Sequence, residues 1–332
     1  MASTLPKVVT ITGGSGGFVV LRGLREYPLE ITAISTVFDS GGSTGILRDQ
    51  YGALPQGDVR RCLLALIPDS RSDWRKFLMH RFGKDDTLLP NQSFGNLMLL
   101  VAEREWGRND AAAHLARLMN ARGNVLPVSV DTAHLMAELE GGETIATESA
   151  IDTRNILSDD RKIVRVWLDR PATTTREVVE AIAGADFLVI GPGDLYTSIV
   201  PSLLVGGVTK AINESKGKLI YVANIMTKGA ETRGYAISDF LEVLAKYGIG
   251  RQWNALVLHE GELPIQLLEE YRKERAEPVA CTDACRTKLD SVVKQVILKD
   301  LLSRTGCERG LIRHSSKRLG RTLMDFIEGR SV

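Results

Sequence analysis

Five short segments gather the residues that could hold an anion or move a proton. They are Gly13 to Gly17 (GGSGG), Asp39 to Gly45 (DSGGSTG), Pro55 to Asp58 (PQGD), Ser93 to Asn96 (SFGN) and Gly191 to Asp194 (GPGD). Glycine lets backbone N–H groups turn toward an anion with no Cβ in the way. A helix that starts directly after such a loop adds unpaired N–H groups and the positive end of its dipole. Gly13, Gly14, Ser15 and Gly16 therefore form a candidate phosphate cradle. The match to the dinucleotide fingerprint is partial: Gly14 and Gly16 fit, Val19 takes the third glycine position, and no Gly-Lys-Ser/Thr follows. An ordinary tight turn is the alternative.

Asp39 lies 25 residues after Gly14, where a dinucleotide fold places an acid on a ribose. The following Ser40, Gly41, Gly42 and Ser43 are unlike a ribose site and resemble a second loop for an anion or a metal-bound phosphate. The plainer reading makes Asp39 a turn residue. Asp58 is placed to cap the helix DVRRCLLALI. Arg60 and Arg61 in its first turn oppose the dipole, so one of them is a candidate for an anionic ligand, with a solvated arginine as the alternative. Ser93 and Asn96 open an apolar helix and either cap it or meet a ligand. Gly191, Gly193, Asp194, Thr197 and Ser198 follow a buried apolar run, at a strand end where open α/β sheets bind ligands.

The elements that must carry these loops alternate along the chain. Lys7 to Thr12 and Glu30 to Phe38 read as strands flanking a helix, the opening of a parallel Rossmann-like sheet. Helical spacing recurs over 58–67, 93–106, 110–120, 174–183, 238–247 and 264–277. Further buried strands are expected at 186–190, 219–223 and 255–258. The predicted fold class is α/β: a Rossmann-like, mostly parallel sheet with helices on both faces. One domain over 1–332 is expected, with 71–168 as a helical and β-rich insertion or subdomain within it.

Composition narrows the function class. The 332 residues carry 42 Lys+Arg against 41 Asp+Glu, a net charge of +1, so bulk nucleic-acid binding is not expected. No run reaches ~18 apolar residues, the length a membrane helix needs. The N-terminus does not read as a secretory signal, and four cysteines do not make a disulfide scaffold. These features point to a cytoplasmic protein with no membrane insertion; the sequence leaves homo-oligomerisation open.

Taken together, the loops carry a resemblance. TGGSGGFVVLRGL, TVFDSGGSTGILR, LPQGDVRRCLLAL, SFGNLMLL, VIGPGDLYTSIVPSLLVGGV, VANIMTKGAETRGYAISDF and YRKERAEPV occur in this order, followed by LIRHSSKRL. Their order resembles the gluconeogenesis factor family (YvcK type), a branch of the CofD-like superfamily. The resemblance implies a cytoplasmic protein linked to carbon metabolism and cell shape that binds UDP-activated sugars such as UDP-N-acetylglucosamine, with no cofactor required. The other branch implies an alternative: a 2-phospho-L-lactate transferase that uses magnesium to move a phospholactyl group from a guanylyl donor to a deazaflavin.

By position, the resemblance assigns Gly13, Gly14 and Gly16 to phosphates, and Asp39 to the acidic role that is catalytic in a transferase. It places Asn224, Glu231 and Thr232 along the cleft, and Tyr271 and Arg313 at the UDP-sugar. Tyr offers a stacking face and a hydroxyl, and Arg a planar fork suited to pyrophosphate. A core-packed Tyr271 and a solvated Arg313 are the plain alternatives.

Departures from the family pattern matter. Ser40 replaces a second acid, Asn91-Gln92 replaces Gly-His, Phe240 ends the Ser-Asp-His pattern and Asp194 ends a loop that more often reads GPGS. A missing acid weakens a magnesium site, for which Asp39 and Asp194 are the remaining candidate ligands. A missing histidine removes a proton carrier. Both departures favour binding over catalysis.

Cys281, Cys285, Cys307 and His314 allow a zinc reading, with reduced thiols as the default. Arg313, Lys317 and Arg321 have the i, i+4, i+8 spacing of one helix face, beside Arg318. Val19 and the DSGGSTG loop disfavour a nicotinamide-dependent oxidoreductase.

Overall fold

Short β-branched runs alternate with amphipathic helices, and pairing the runs edge to edge builds the sheet that positions the loops. The computed structural model describes residues 5–155, 157–281 and 283–330. Its strands are β1 (Lys7–Thr12), β2 (Glu30–Ser35), β3 (Asn124–Pro127), β4 (Leu135–Leu139), β5 (Thr144–Ala146), β6 (Ile163–Leu168), β7 (Phe187–Ile190), β8 (Lys218–Val222), β9 (Ala255–His259) and β10 (Val296–Lys299).

Seven of them form a sheet in the order β10-β9-β8-β7-β1-β2-β3, parallel throughout. β1 is buried from Val8 to Thr12 and β7 along its whole length, as central strands covered on both faces must be. The chain winds outward from β1 through β2 to β3, then returns to β7 on the other side of β1 and winds outward to β10. The direction reverses between β1 and β7. Two loops leave the sheet side by side there, and a crevice opens between them.

The helix α1 (Gly14–Leu24) follows β1 immediately, so its N-terminus faces that crevice. It crosses the last helix, Ser316–Ile327, so closely that a Cβ on Gly23 would lie 2.2 Å from the Ser316 carbonyl oxygen. The helices α2 (Gly42–Tyr51) and α3 (Gly57–Leu66) follow the second glycine loop.

The sequence pattern and the structure differ at five places. α2 was not expected, because Gly, Ser and Thr dominate its first turn and mask the helical spacing. β10 and the helix Asp283–Val292 are likewise additions. β3, grouped by sequence with the insertion, belongs to the main sheet. The helices between Ser72 and Leu118 are thus part of the crossover from β2 to β3, and only β5-β4-β6 forms a separate antiparallel layer. The basic C-terminal stripe does not form as one helix face, since the helix begins at Ser316, after Arg313. Arg318 pairs with Asp300 instead, and Arg321 lies 3.9 Å from Asp325. No helix among the described residues is long and apolar enough to cross a membrane.

Candidate ligand-binding cleft

The crevice at the reversal point is a cleft of about 530 Å³, within the ~300–1,000 Å³ range of small-molecule sites. One wall is the start of α1, from Gly13 to Gly16. Close packing dictates glycine at two of these positions. A Cβ on Gly13 would lie 2.8 Å from the Ser198 Cβ, and one on Gly16 would lie 2.2 Å from the Pro192 carbonyl oxygen. The facing loop, Gly191 to Asp194, is pinned by Asn224. The Asn224 side chain accepts from the Gly193 N–H at 3.0 Å and donates to the Gly193 carbonyl at 2.9 Å. Both ends of this amide are committed, so Asn224 positions the loop while lining the cleft.

Tyr271 and Arg313 reach the same cleft from the C-terminal third of the chain. Tyr271 sits on the helix Ile265–Lys273 and packs on Ile225, Met226 and Ile312; its hydroxyl accepts the Ile312 N–H at 3.1 Å. That bond fixes the backbone directly before Arg313. The Arg313 side chain is exposed and has no protein partner among the described residues. Beside it, His314 is buried on the cleft lining with its Nε2 unpaired. Burial and the neighbouring His259 push its pKa down to about 3, so it is neutral at physiological pH.

The charge across the cleft is organised around Lys228. Its ammonium contacts Asp152, lies 2.7 Å from Asp194 and 3.2 Å from Glu231. Burial works against that charge, but Glu231, Asp194 and Asp152 outweigh it and raise the Lys228 pKa. The three carboxylates have oxygens within 4.8 Å of one another, the spacing of a cation site. The cation already there is the lysine.

Comparison with known proteins places this arrangement. A model of the family described as 2-phospho-L-lactate transferase CofD matches residues 8–302. The chain belongs to the CofD family. The gluconeogenesis factor of Halalkalibacterium halodurans is 40% identical over 277 residues, spanning 82% of this chain and 83% of its own. That of Bacillus subtilis is 32% identical over 325 residues, spanning 97% and 98%. A crystal structure from Bacillus halodurans, described as a member of the UPF0052 family, matches with a TM-score of 0.87 at 33% identity, covering 97% of this chain and 100% of that one.

Within this CofD-family chain the other sequence candidates divide. Asp58 does not cap its own helix, whose N-cap is Gln56 without a side-chain bond. It caps α1: its Oδ2 accepts the Gly14 N–H at 2.9 Å, while its Oδ1 takes Arg61 at 2.6 Å. A carboxylate thus already occupies the first amide of the expected phosphate cradle. The amides of Ser15 and Gly16 have no acceptor among the described residues and remain for a ligand. Thr197 and Glu231 satisfy each other. The Glu231 carboxylate accepts the Thr197 hydroxyl at 2.7 Å and the Tyr196 N–H at 2.8 Å, buried behind the cleft. Thr232 accepts the Lys228 N–H at 2.9 Å and is structural. Gly191, at φ +76°, makes the turn after β7 possible; a Cβ there would lie 2.5 Å from the Val222 carbonyl.

The second glycine loop does not join the cleft lining. Asp39 accepts the Gly41 N–H at 3.1 Å, and Glu148 accepts the Ser40 N–H at 3.3 Å. The Ser43 hydroxyl donates to Gln92 at 2.8 Å and accepts from the Ser93 N–H and from Asn96. Arg60 turns away to the Leu78 carbonyl, 3.0 Å. This loop is a web of internal bonds, with Asp39 and Glu148 taking its amides. Asp39 is absent from the carboxylate cluster around Lys228, to which Asp194 belongs. Cysteine likewise enters no cluster of three candidate metal ligands among the described residues.

Sequence reasoning missed Asp152, Arg154, Lys228 and Thr227 as cleft residues. Lys228 stood within a recognised motif, between Asn224 and Glu231, and was the legible signal.

Proposed function

We propose that this protein is a cytoplasmic regulatory protein that binds a nucleotide sugar of the UDP-N-acetylglucosamine type and acts in carbon metabolism and cell shape. The observation that carries the reading is the convergence of Tyr271 and Arg313, from the C-terminal third, on the cleft formed by Gly13 to Gly16. A tyrosine face, a free guanidinium and open helix-start amides are the groups that a base or sugar and a diphosphate require. The test is calorimetric titration of the purified protein with UDP-N-acetylglucosamine, UDP and GDP. Tightest binding to the UDP-sugar, weakened by Arg313→Ala, supports the reading. No binding by the wild type refutes it.

The transferase alternative has the description of the matching family model in its favour. It needs magnesium at carboxylates and an acid at Asp39. The donor set does not fit that ion: the carboxylates that cluster hold Lys228, and Asp39 lies outside the cluster. Incubation with a guanylyl phospholactate donor, a deazaflavin acceptor and magnesium decides it. Product formation that is lost in Asp39→Ala would establish the transferase.

A further inference from the structure

Arg154 follows the short helix Glu148–Asp152, which leads from β5 toward β6 in the small antiparallel layer. It lines the same cleft as the start of α1, contributed by a part of the chain in which the sequence showed no site. Its side chain is only 7% exposed. One nitrogen, Nη2, donates to the Ala230 carbonyl at 2.7 Å and anchors the guanidinium. Nε and Nη1 are buried and have no hydrogen-bond partner among the described residues.

The paired acid is shared with a second arginine. Asp159 lies 3.9 Å from Nη1 and is engaged by Arg161, which donates from Nε at 2.8 Å and from Nη2 at 2.9 Å. The acids of the cleft wall, Asp152 and Asp194, converge on Lys228. Burial, Arg161 and Arg233 oppose the Arg154 charge, while Asp159 and Glu231 favour it, and the balance lowers the Arg154 pKa. A buried guanidinium cannot shed its proton, so its unmet donors carry a penalty that a bound anion would relieve.

We propose that Arg154 is the anchor for the diphosphate of the ligand, receiving a phosphoryl oxygen on Nε and Nη1 while the Ser15 and Gly16 amides hold the opposite side. This rests on the cleft being a site for a phosphorylated nucleotide and adds the residue that makes it selective for phosphate. It also assigns the antiparallel layer a role as the cationic wall of the site. Planar, charge-assisted donors are suited to that task.

The experiment combines titration with a wild-type spectroscopic readout. UDP, inorganic pyrophosphate and uridine are titrated into wild type, Arg154→Lys and Arg154→Met. UDP affinity is expected to fall about tenfold in Arg154→Lys and about thirtyfold or more in Arg154→Met, roughly the loss of one or two charge-assisted hydrogen bonds. Should Arg154→Met fail to fold, the wild-type protein still reports. The Arg154 Nε–H resonance, identified by its absence in Arg154→Lys, must shift with UDP and with pyrophosphate but not with uridine.

UDP affinity within threefold of wild type in folded Arg154→Met, or a resonance unmoved by UDP, overturns the assignment and leaves the nucleotide-sugar reading standing. In the calorimetric titration with UDP-N-acetylglucosamine, UDP and GDP, binding of UDP and GDP with no gain from the sugar overturns that reading and leaves Arg154 as the phosphate anchor. No binding of any phosphorylated probe overturns both.

Discussion

Two glycine loops follow neighbouring strands of the sheet, one after β1 and one beyond β2, and they are built from the same few residue types. In the first, Ser15 and Gly16 present amides without an acceptor, and Arg154 and Arg313 face the same space with nitrogens unpaired. In the second, the amides of Ser40 and Gly41 are taken by Glu148 and Asp39, and Ser43 is taken by Gln92. The buried polar atoms left over there include Ser93 Oγ, Asn96 Oδ1 and Arg60 Nε. The first region leaves loop amides unmet among the described residues, and the second has its loop amides taken by carboxylates. Composition alone therefore does not mark an anion site. What marks it is whether the fold leaves the donors unmet.

The comparison can be broken by substitutions in either region. The largest effect is expected from Gly16→Ala, whose Cβ would fall 2.2 Å from the Pro192 carbonyl oxygen and force two backbones apart. A loss of about 3 kcal/mol is expected, read as a fall in Tm of several degrees. Unchanged stability would show that the two cleft loops are not in close contact. Arg313→Ala should cost about 2 kcal/mol of UDP-N-acetylglucosamine binding with little change in Tm, because its side chain has no protein partner among the described residues. Equal affinity would remove Arg313 from the site.

Glu148 gives a pH test of the second region. Burial, then Asp39 and further acids, raise its carboxyl to about 8 from the ordinary 4.5. The folded chain therefore keeps a proton that the unfolded chain releases, so stability falls as pH rises from about 4.5 to 8. Glu148→Gln should remove this slope and stabilise the protein by about 1–2 kcal/mol at pH 8.5 and little at pH 4.5. Parallel stability curves for the two proteins would contradict the acid cluster. The smallest effect is expected at Gly42. Its φ is +52°, with nothing within 4 Å of an added Cβ, so Gly42→Ala pays only the backbone cost of about 1 kcal/mol. Thermal melts of this variant beside Gly16→Ala compare the two loops directly.

Much of the sheet was legible because β1, β2, β7, β8 and β9 are short apolar runs bounded by glycine or polar breaks. α2 was hidden by its Gly-Ser-Thr first turn, and β3 by its place inside a β-like region. The loops were legible as loops, but their bonding was not. Nothing in the local sequence shows that Asp58 reaches back to Gly14, 44 positions away, or that Glu231 caps the turn at Tyr196. Arg154 was hidden for the same reason. Its distinguishing property is the absence of a hydrogen-bond partner for two nitrogens, and that exists only once Asp159 has been claimed by Arg161.

The most direct measurement is a side-by-side calorimetric titration of UDP-N-acetylglucosamine into wild type, Tyr271→Ala and Asp39→Asn. Binding by wild type and Asp39→Asn within threefold of each other, with Tyr271→Ala weakened by more than tenfold, is the expected result. Loss of binding in Asp39→Asn while Tyr271→Ala keeps wild-type affinity would place the site in the other loop and contradict the account.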